Sequence, residues 1–457
     1  MADPVRFVDL DKTHADALFA ATFGTEGTEK EAVKAWCDQP IRMDPETGVI
    51  RQRRAGPCAC IAPVQARAET HRRFGTEEDA ETALRHALVD ALWCAGGREQ
   101  AALVATRRAL HEHEHEMAAA VDLSLEGAVL DASSQWEESF VVARVNTKED
   151  LERAVERAQN CLESPLGALL LLLSALESRG VERAMLDRDD ASHPLVTPPF
   201  GHASQEVVHL LLCGKAVSNV FNGTITLGET PGEGAGHALV LQGVPSHPEV
   251  GLITMLEFLR YCEVGSFLKR PKYPVWVVGS ESHYTVLYCE DEKVQDLDRG
   301  QALRRWARER FDALDQSGGG GFIPVESLDG LLDKIGVALP AESLQALKAS
   351  AVVLWTELLG ALAAVDPQYA SNNSTAVSFE LVHVNNILKK DASGSLAPRI
   401  CRIRVAVPPP WEECMDGEAK AAALLGGSQK EGPLVDCIRT RWHRALCSWT
   451  GEEPSIV

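Results

Sequence analysis

Residues 273–290 read YPVWVVGSESHYTVLYCE. Two runs rich in aromatic and β-branched residues, 273–280 and 283–290, flank a short polar turn, a pattern that predicts a β-hairpin. Further on, FELVHVNN (379–386) reads as a strand, and ICRIRVAV (400–407) alternates apolar and basic residues as a half-buried strand does. Helical patterns fill much of the remainder. They cover the polar residues 1–50, the charged segment 77–120, a stretch near 148–160, the apolar segment 166–178, residues 201–214 ending at Gly214, residues 251–268, and 435–449. The predicted class is α/β (α+β).

Bulk properties narrow the function. The 457-residue chain carries a formal net charge of -21, which argues against nucleic acid and anionic membrane as main partners. The most apolar run, LGALLLLLSAL from Leu166 to Leu176, is too short for a bilayer, which needs about 20 residues, and is expected to be a buried helix. The segment MADPVRFVDLDKTHADALF holds no secretory apolar run, so the expected location is the cytoplasm or nucleus. There the 12 cysteines are expected to be free thiols, and with no CxxC pair a zinc site is not expected.

One of those thiols stands where chemistry is possible. Gly56-Pro57 marks a loop, and CACIAPVQARAETHRRF behind it suits a helix starting at Cys58, provided that Pro63 falls in the first turn. A helix N-terminus favours a thiolate, and the N–H of the cysteine itself can face a developing oxyanion. Cys60, two residues on, points elsewhere. A base must accompany the thiol, and His283 begins the second strand of the hairpin. As an imidazolium it would hold the thiolate as an ion pair. His202 and His209, seven apart on one predicted helix, are its rivals. For the group that orients the base, Thr285, Asn219 and Asn385 remain open.

Ala55 to Gln65, AGPCACIAPVQ, resembles the nucleophile motif of the MINDY deubiquitinases, and more narrowly of the subtype with an EF-hand-like insertion, which reads GGPCA-x-IAPVQ. The resemblance continues through 201–223 and 251–288 and, weakly, to CIRTRW at 437–442. It implies a papain-like arrangement in which Cys58 is the nucleophile, His283 the base and Gln52 the side chain that assists the oxyanion hole. It also implies hydrolysis at the C-terminal glycine of ubiquitin, preferentially in lysine-forty-eight-linked polyubiquitin, without a cofactor. Asn219, Val220 and Phe221 in VSNVFNG become candidates to bind the narrow Gly-Gly tail, the latter two as apolar walls. Two positions depart from the motif: Ala55 replaces a glycine, and Arg53-Arg54 replace an acidic residue. A catalytically weak ubiquitin-binding scaffold and a general peptidase are the competing readings.

The expected organisation is a catalytic core over 1–298 and 369–457, split by a helical insertion at 299–368. Within the insertion, 315–326 (DQSGGGGFIPVE) resembles a calcium loop, with Gly320 at position 6 and Glu326 at position 12 counted from Asp315. Position 5 is Gly319, and Ile323 comes one residue late, so calcium binding is not expected. The histidines of 111–115, HEHEH, are expected to be a solvated helix end rather than a metal site.

Overall fold

The computed structural model describes residues 5–24, 30–76, 79–107, 110, 139–227, 239–295, 299–315, 320–370, 377–390, 394, 396–408 and 423–457. Residues 111–115 lie outside the described residues. A six-stranded sheet carries the hairpin. Its strands are β1 (Gly251–Thr254), β2 (Val275–Gly279), β3 (Tyr284–Cys289), β4 (Val377–Lys390), β5 (Leu396–Val407) and β6 (Leu446–Trp449), in spatial order β6-β5-β4-β3-β2-β1. β2 and β3 pair antiparallel, as do β3 and β4, while β1 lies parallel to β2.

Helix α1 (Cys58–Phe74) packs against β2 and β3; α2 (Ala80–Ala95) and α4 (Gln205–Cys213) pack against α1, and α3 (Gly167–Arg179) lies against the strand Ala101–Thr106, all within one continuous core. Strand alternation sends Val286 and Tyr288 into that core, where they meet Val382, Val384, Val275 and Val277. α3 is the apolar run read from sequence, and Leu169 to Leu173 are wholly buried. At about 1.5–3 kcal/mol for each buried leucine, this helix alone is a large share of the driving force. A separate three-stranded sheet places Phe140–Val145 between Val8–Asp9 and Ala101–Thr106.

Several sequence expectations give way. Residues 251–268 are not one helix: β1 comes first, and only single turns at Met255–Phe258 and Ser266–Lys269 are helical. Within the segment 77–120, the helix α2 ends at Ala95 and the strand Ala101–Thr106 follows. The last helix stops at Arg441, and Leu446–Trp449 becomes an edge strand. In each case a short apolar run is used for sheet pairing, a choice that helical periodicity does not register. Pro63 also departs from expectation, since it is the sixth residue of α1, not in its first turn. A proline there costs about 3 kcal/mol; burial of every residue from Cys58 to Thr70 offsets it. No described helix is long and apolar enough to cross a membrane.

The chain divides into two compact units: Met1–Glu290 with Phe379–Ala406 and Asp416–Val457, and Asp291–Ser378 with Val407–Met415. The second unit holds the helices Arg299–Asp312, Leu328–Ile335, Ala341–Leu347 and Trp355–Val365 around Phe311, Ile323 and Leu358. Its two connecting loops pair through Phe322–Pro324 and Val352–Leu354, with Ile323 opposite Val353.

The loop before α1 is set by glycine. Gly56 has φ +113°, and a Cβ there would lie 2.5 Å from the Gly201 carbonyl oxygen, which also accepts from Trp36 Nε1 at 2.8 Å. Ala55, in contrast, keeps an ordinary negative φ, so its departure from a paired glycine carries no left-handed strain. Gly56→Ala should therefore lower stability by about 1–3 kcal/mol, read as a fall in the urea midpoint, while Ala55→Gly should move it little. Equal midpoints for Gly56→Ala and the parent would show that the loop relaxes freely.

Candidate active site

Cys58 opens α1 directly after Pro57, whose carbonyl accepts from the N–H groups of Cys60 and Ile61. The N–H of Cys58 is thereby left at the helix start. The thiol is 3% exposed, and burial pushes it up to about 11. Backbone groups of Tyr284, Ala59, Cys58 and Gly56 pull in the opposite direction. Tyr284 follows His283 directly, so the thiol reaches the end of β3 where the predicted base sits. Cys60 is wholly buried and its thiol is pushed far up by burial, with the charge of Cys58 adding to the rise.

His283 lies in a tight turn, its N–H donating to Ser280 Oγ and its carbonyl accepting from the Ser280 N–H at 2.9 Å. Its Nε2 is 3.2 Å from Asn385 Oδ1. The neighbours of Asn385 fix which way its amide points. Oδ1 accepts from the Ile387 N–H at 3.0 Å, and Nδ2 donates to the Ser455 carbonyl at 2.8 Å. Oδ1 is therefore the atom that faces the histidine, so Nε2 carries the proton and Nδ1 is the free basic nitrogen. Of the three open orienting groups, Asn385 is the one at His283. Thr285 Oγ1 bonds instead to His383 Nε2 at 2.9 Å, and Asn219 Nδ2 donates to Asp189 and to the Gln242 carbonyl. Sequence gave no distance between residues 283 and 385. The β3–β4 register, Val286 opposite Val384, supplies it.

The electrostatics differ from the expected ion pair. Burial lowers His283 to about 4, with Asn385 opposing and the charges of Arg399 and His202 adding to the fall. Burial likewise lowers the neighbouring His383 to about 3. Burial thus favours the neutral forms of both Cys58 and His283.

Gln52 is buried and reaches β4 through its N–H, which donates to the Asn386 carbonyl at 2.9 Å. One hydrogen of its Nε2 donates to the Arg54 carbonyl at 2.7 Å, while Oε1 is buried without a described partner. Arg53 and Arg54 both pair with Asp38, at 3.2 and 2.8 Å. The rival histidines separate: His202 lies in the short strand His202–Ala203, ahead of α4, with Nδ1 buried and no described partner. His209 sits inside α4 with Nδ1 on the Val217 carbonyl at 2.7 Å. Val220 is core and Phe221 half-buried; their carbonyls accept from the N–H groups of Gly265 and Val244.

The sequence matches the family described as deubiquitinating enzyme MINDY-3/4, conserved domain, over residues 22–305. The chain belongs to the MINDY-3/4 family of deubiquitinating enzymes. It is 28% identical to the ubiquitin carboxyl-terminal hydrolase MINDY-3 of Xenopus tropicalis over 98% of this chain and 99% of that one. It is 31% identical to the human MINDY-3 over 68% and 72% of the two chains. A probable ubiquitin carboxyl-terminal hydrolase, MINDY-4 of Xenopus tropicalis, is 32% identical over 60% of this chain and 34% of its own. No solved structure matches. The MINDY-3/4 match spans α1, β2 and β3, so Cys58 and His283 both fall inside it.

A thiol raised to about 11 is ionised to only about 10⁻⁴ at pH 7, and its alkylation rate should rise tenfold per pH unit. Iodoacetamide labelling of Cys58, read by peptide mass, should therefore climb without a plateau from pH 7 to pH 10. A plateau below pH 8.5 would mean that His283 holds a thiolate already.

Proposed function

We propose that this MINDY-3/4 enzyme is a thiol hydrolase that cleaves isopeptide bonds at the C-terminal glycine of ubiquitin. The observation that carries the reading is the His283–Asn385 bond, in an amide orientation that leaves Nδ1 basic, in the turn directly before Tyr284, whose backbone reaches the Cys58 thiol. In the reaction, the Cys58 sulfur attacks the glycine carbonyl carbon as His283 Nδ1 takes the thiol proton. Since both groups start neutral, His283 acts as a general base rather than as half of a resting ion pair. The carbonyl oxygen becomes an oxyanion, for which the Cys58 N–H and the second Nε2 hydrogen of Gln52 are the donors. Return of the proton from His283 to the leaving lysine amine breaks the C–N bond and leaves a thioester. Water, activated by the same nitrogen, then hydrolyses it.

The substrate reading is polyubiquitin, with lysine-forty-eight linkage supported by the resemblance of the three sequence blocks. The names of the relatives, ubiquitin carboxyl-terminal hydrolases, support ubiquitin itself. Asn219, Val220 and Phe221 would act at the Gly-Gly tail from outside the Cys58–His283 pair. A cytoplasmic or nuclear location fits such a substrate. The scaffold alternative loses its main support, because Ala55 imposes no strain on the nucleophile loop.

Cys58→Ala should abolish polyubiquitin cleavage while Cys60→Ala retains it; the reverse outcome would identify the other thiol. His283→Ala should lower kcat on the order of 10³-fold and leave the alkylation profile of Cys58 nearly unchanged. Gln52→Ala should cost about 10²–10³-fold in kcat, as loss of one oxyanion donor does. Labelling by ubiquitin bearing a C-terminal electrophile should need Cys58. Activity on short peptides without ubiquitin would instead favour a general peptidase.

The second unit is read as an EF-hand-like pair that does not take calcium. Asp315 Oδ2 accepts from the N–H of Gly321, and Gly321 has φ +75°. Gly321 is seven residues into a loop counted from Asp315, one later than the position-6 glycine of a calcium loop. In the second loop Glu357 accepts from the Leu354 N–H and caps its own helix. Calorimetry should give no calcium binding tighter than about 10 μM, the range of sensor hands; tighter binding would overturn this reading.

A further inference from the structure

The segment Glu452–Val457 meets β4 and β5 at Lys389, Asn385 and Arg399, outside the residues 22–305 matched to the family. Pro454 and Ile456 are buried, and Lys389 on β4 forms an ion pair with Glu452. Between the two anchors, the Ser455 carbonyl accepts from Asn385 Nδ2 at 2.8 Å. Arg399, whose charge depresses His283, donates from Nη2 to the Val457 carbonyl at 3.1 Å.

The Ser455 contact bears directly on the tautomer. An asparagine amide rotated by 180° would put Nδ2 against His283 Nε2 and against the Ile387 N–H. Two donors would then face donors, and His283 would be driven to carry its proton on Nδ1, where it cannot act as base. The Ile387 N–H opposes that rotation from one side of the amide and the Ser455 carbonyl from the other. We propose that the main-chain carbonyl of Ser455, delivered by the anchored segment 452–457, is a positioning group that holds Asn385 and so keeps His283 in its basic tautomer. This rests on the reading of His283 as the general base. Ser455 touches no reacting atom; it acts through Asn385.

The test uses the full chain carrying Ile456→Asp, which puts a charge at the buried anchor, and a chain lacking 452–457. Both should lower kcat on polyubiquitin about 10–100-fold, the usual cost of losing an orienting partner, with KM within about twofold of the parent. In an Asn385→Ala background the same changes should cost nothing more, because the tail acts only through that amide. Multiplicative losses, an unchanged kcat, or a rise in KM alone would each overturn the proposal. Should both forms fail to fold, an ester in place of the 455–456 peptide bond weakens the same carbonyl as an acceptor and removes no side chain. It should lower kcat several-fold, and parental kcat in the ester would refute the idea. Failure of the base assignment is distinguishable, since His283→Ala would then retain turnover whatever the tail does.

Discussion

The burial of the N-terminus of α1 against the start of β3 is the constraint from which the rest of this site follows. A helix start normally offers its free N–H groups to water. Here those groups are closed in with the Cys58 thiol; Gly56 lets the loop approach the Gly201 carbonyl, and Gly201 in turn lets its backbone approach that of Ala32, where no Cβ fits. Trp36 seals the contact through the Gly201 carbonyl. Pro63 fits the same logic: a helix so fully enclosed tolerates a missing hydrogen bond that an exposed helix of its length would not.

Enclosure has an electrostatic consequence. Burial raises the thiol and lowers the imidazole, so each charged form is disfavoured in the absence of substrate. Arg399 and His202 push His283 in the same direction. The interactions that favour charge, the helix N–H groups for sulfur and Asn385 for the imidazolium, are directional and remain in place. In the proposed reaction the sulfur, imidazole and oxyanion charges would develop together, where these directional partners can act on them.

How much of this is legible in the sequence varies residue by residue. The hairpin and Cys58 could be read because their signals are local: β-branched runs about a turn, and Gly-Pro before a helical pattern. The class α/β follows from those same runs. Asn385 was one of three open candidates, because its role depends on the pairing of β3 with β4, and register across an insertion leaves no trace in spacing. β1 and β6 escape such a reading because each is only four residues long, and so short a run fits a helix and an edge strand equally well. Gln52 was named through resemblance alone; nothing in its neighbours distinguishes it from a loop residue, and its burial comes from contact with β4.

The same register explains why an insertion is tolerated inside a catalytic unit. β3 runs from the turn at His283 toward Cys289, and β4 returns antiparallel from Leu381 opposite Cys289 to Asn385. The chain therefore leaves β3 and re-enters β4 at the end of the pair remote from His283. Because the entropy of closing a loop grows only logarithmically with length, lengthening that connection costs little once both ends are paired. The inserted unit brings its own core around Phe311 and Ile323. What must be conserved in space is the short span from the turn at His283 to Asn385, and that span contains no inserted residue.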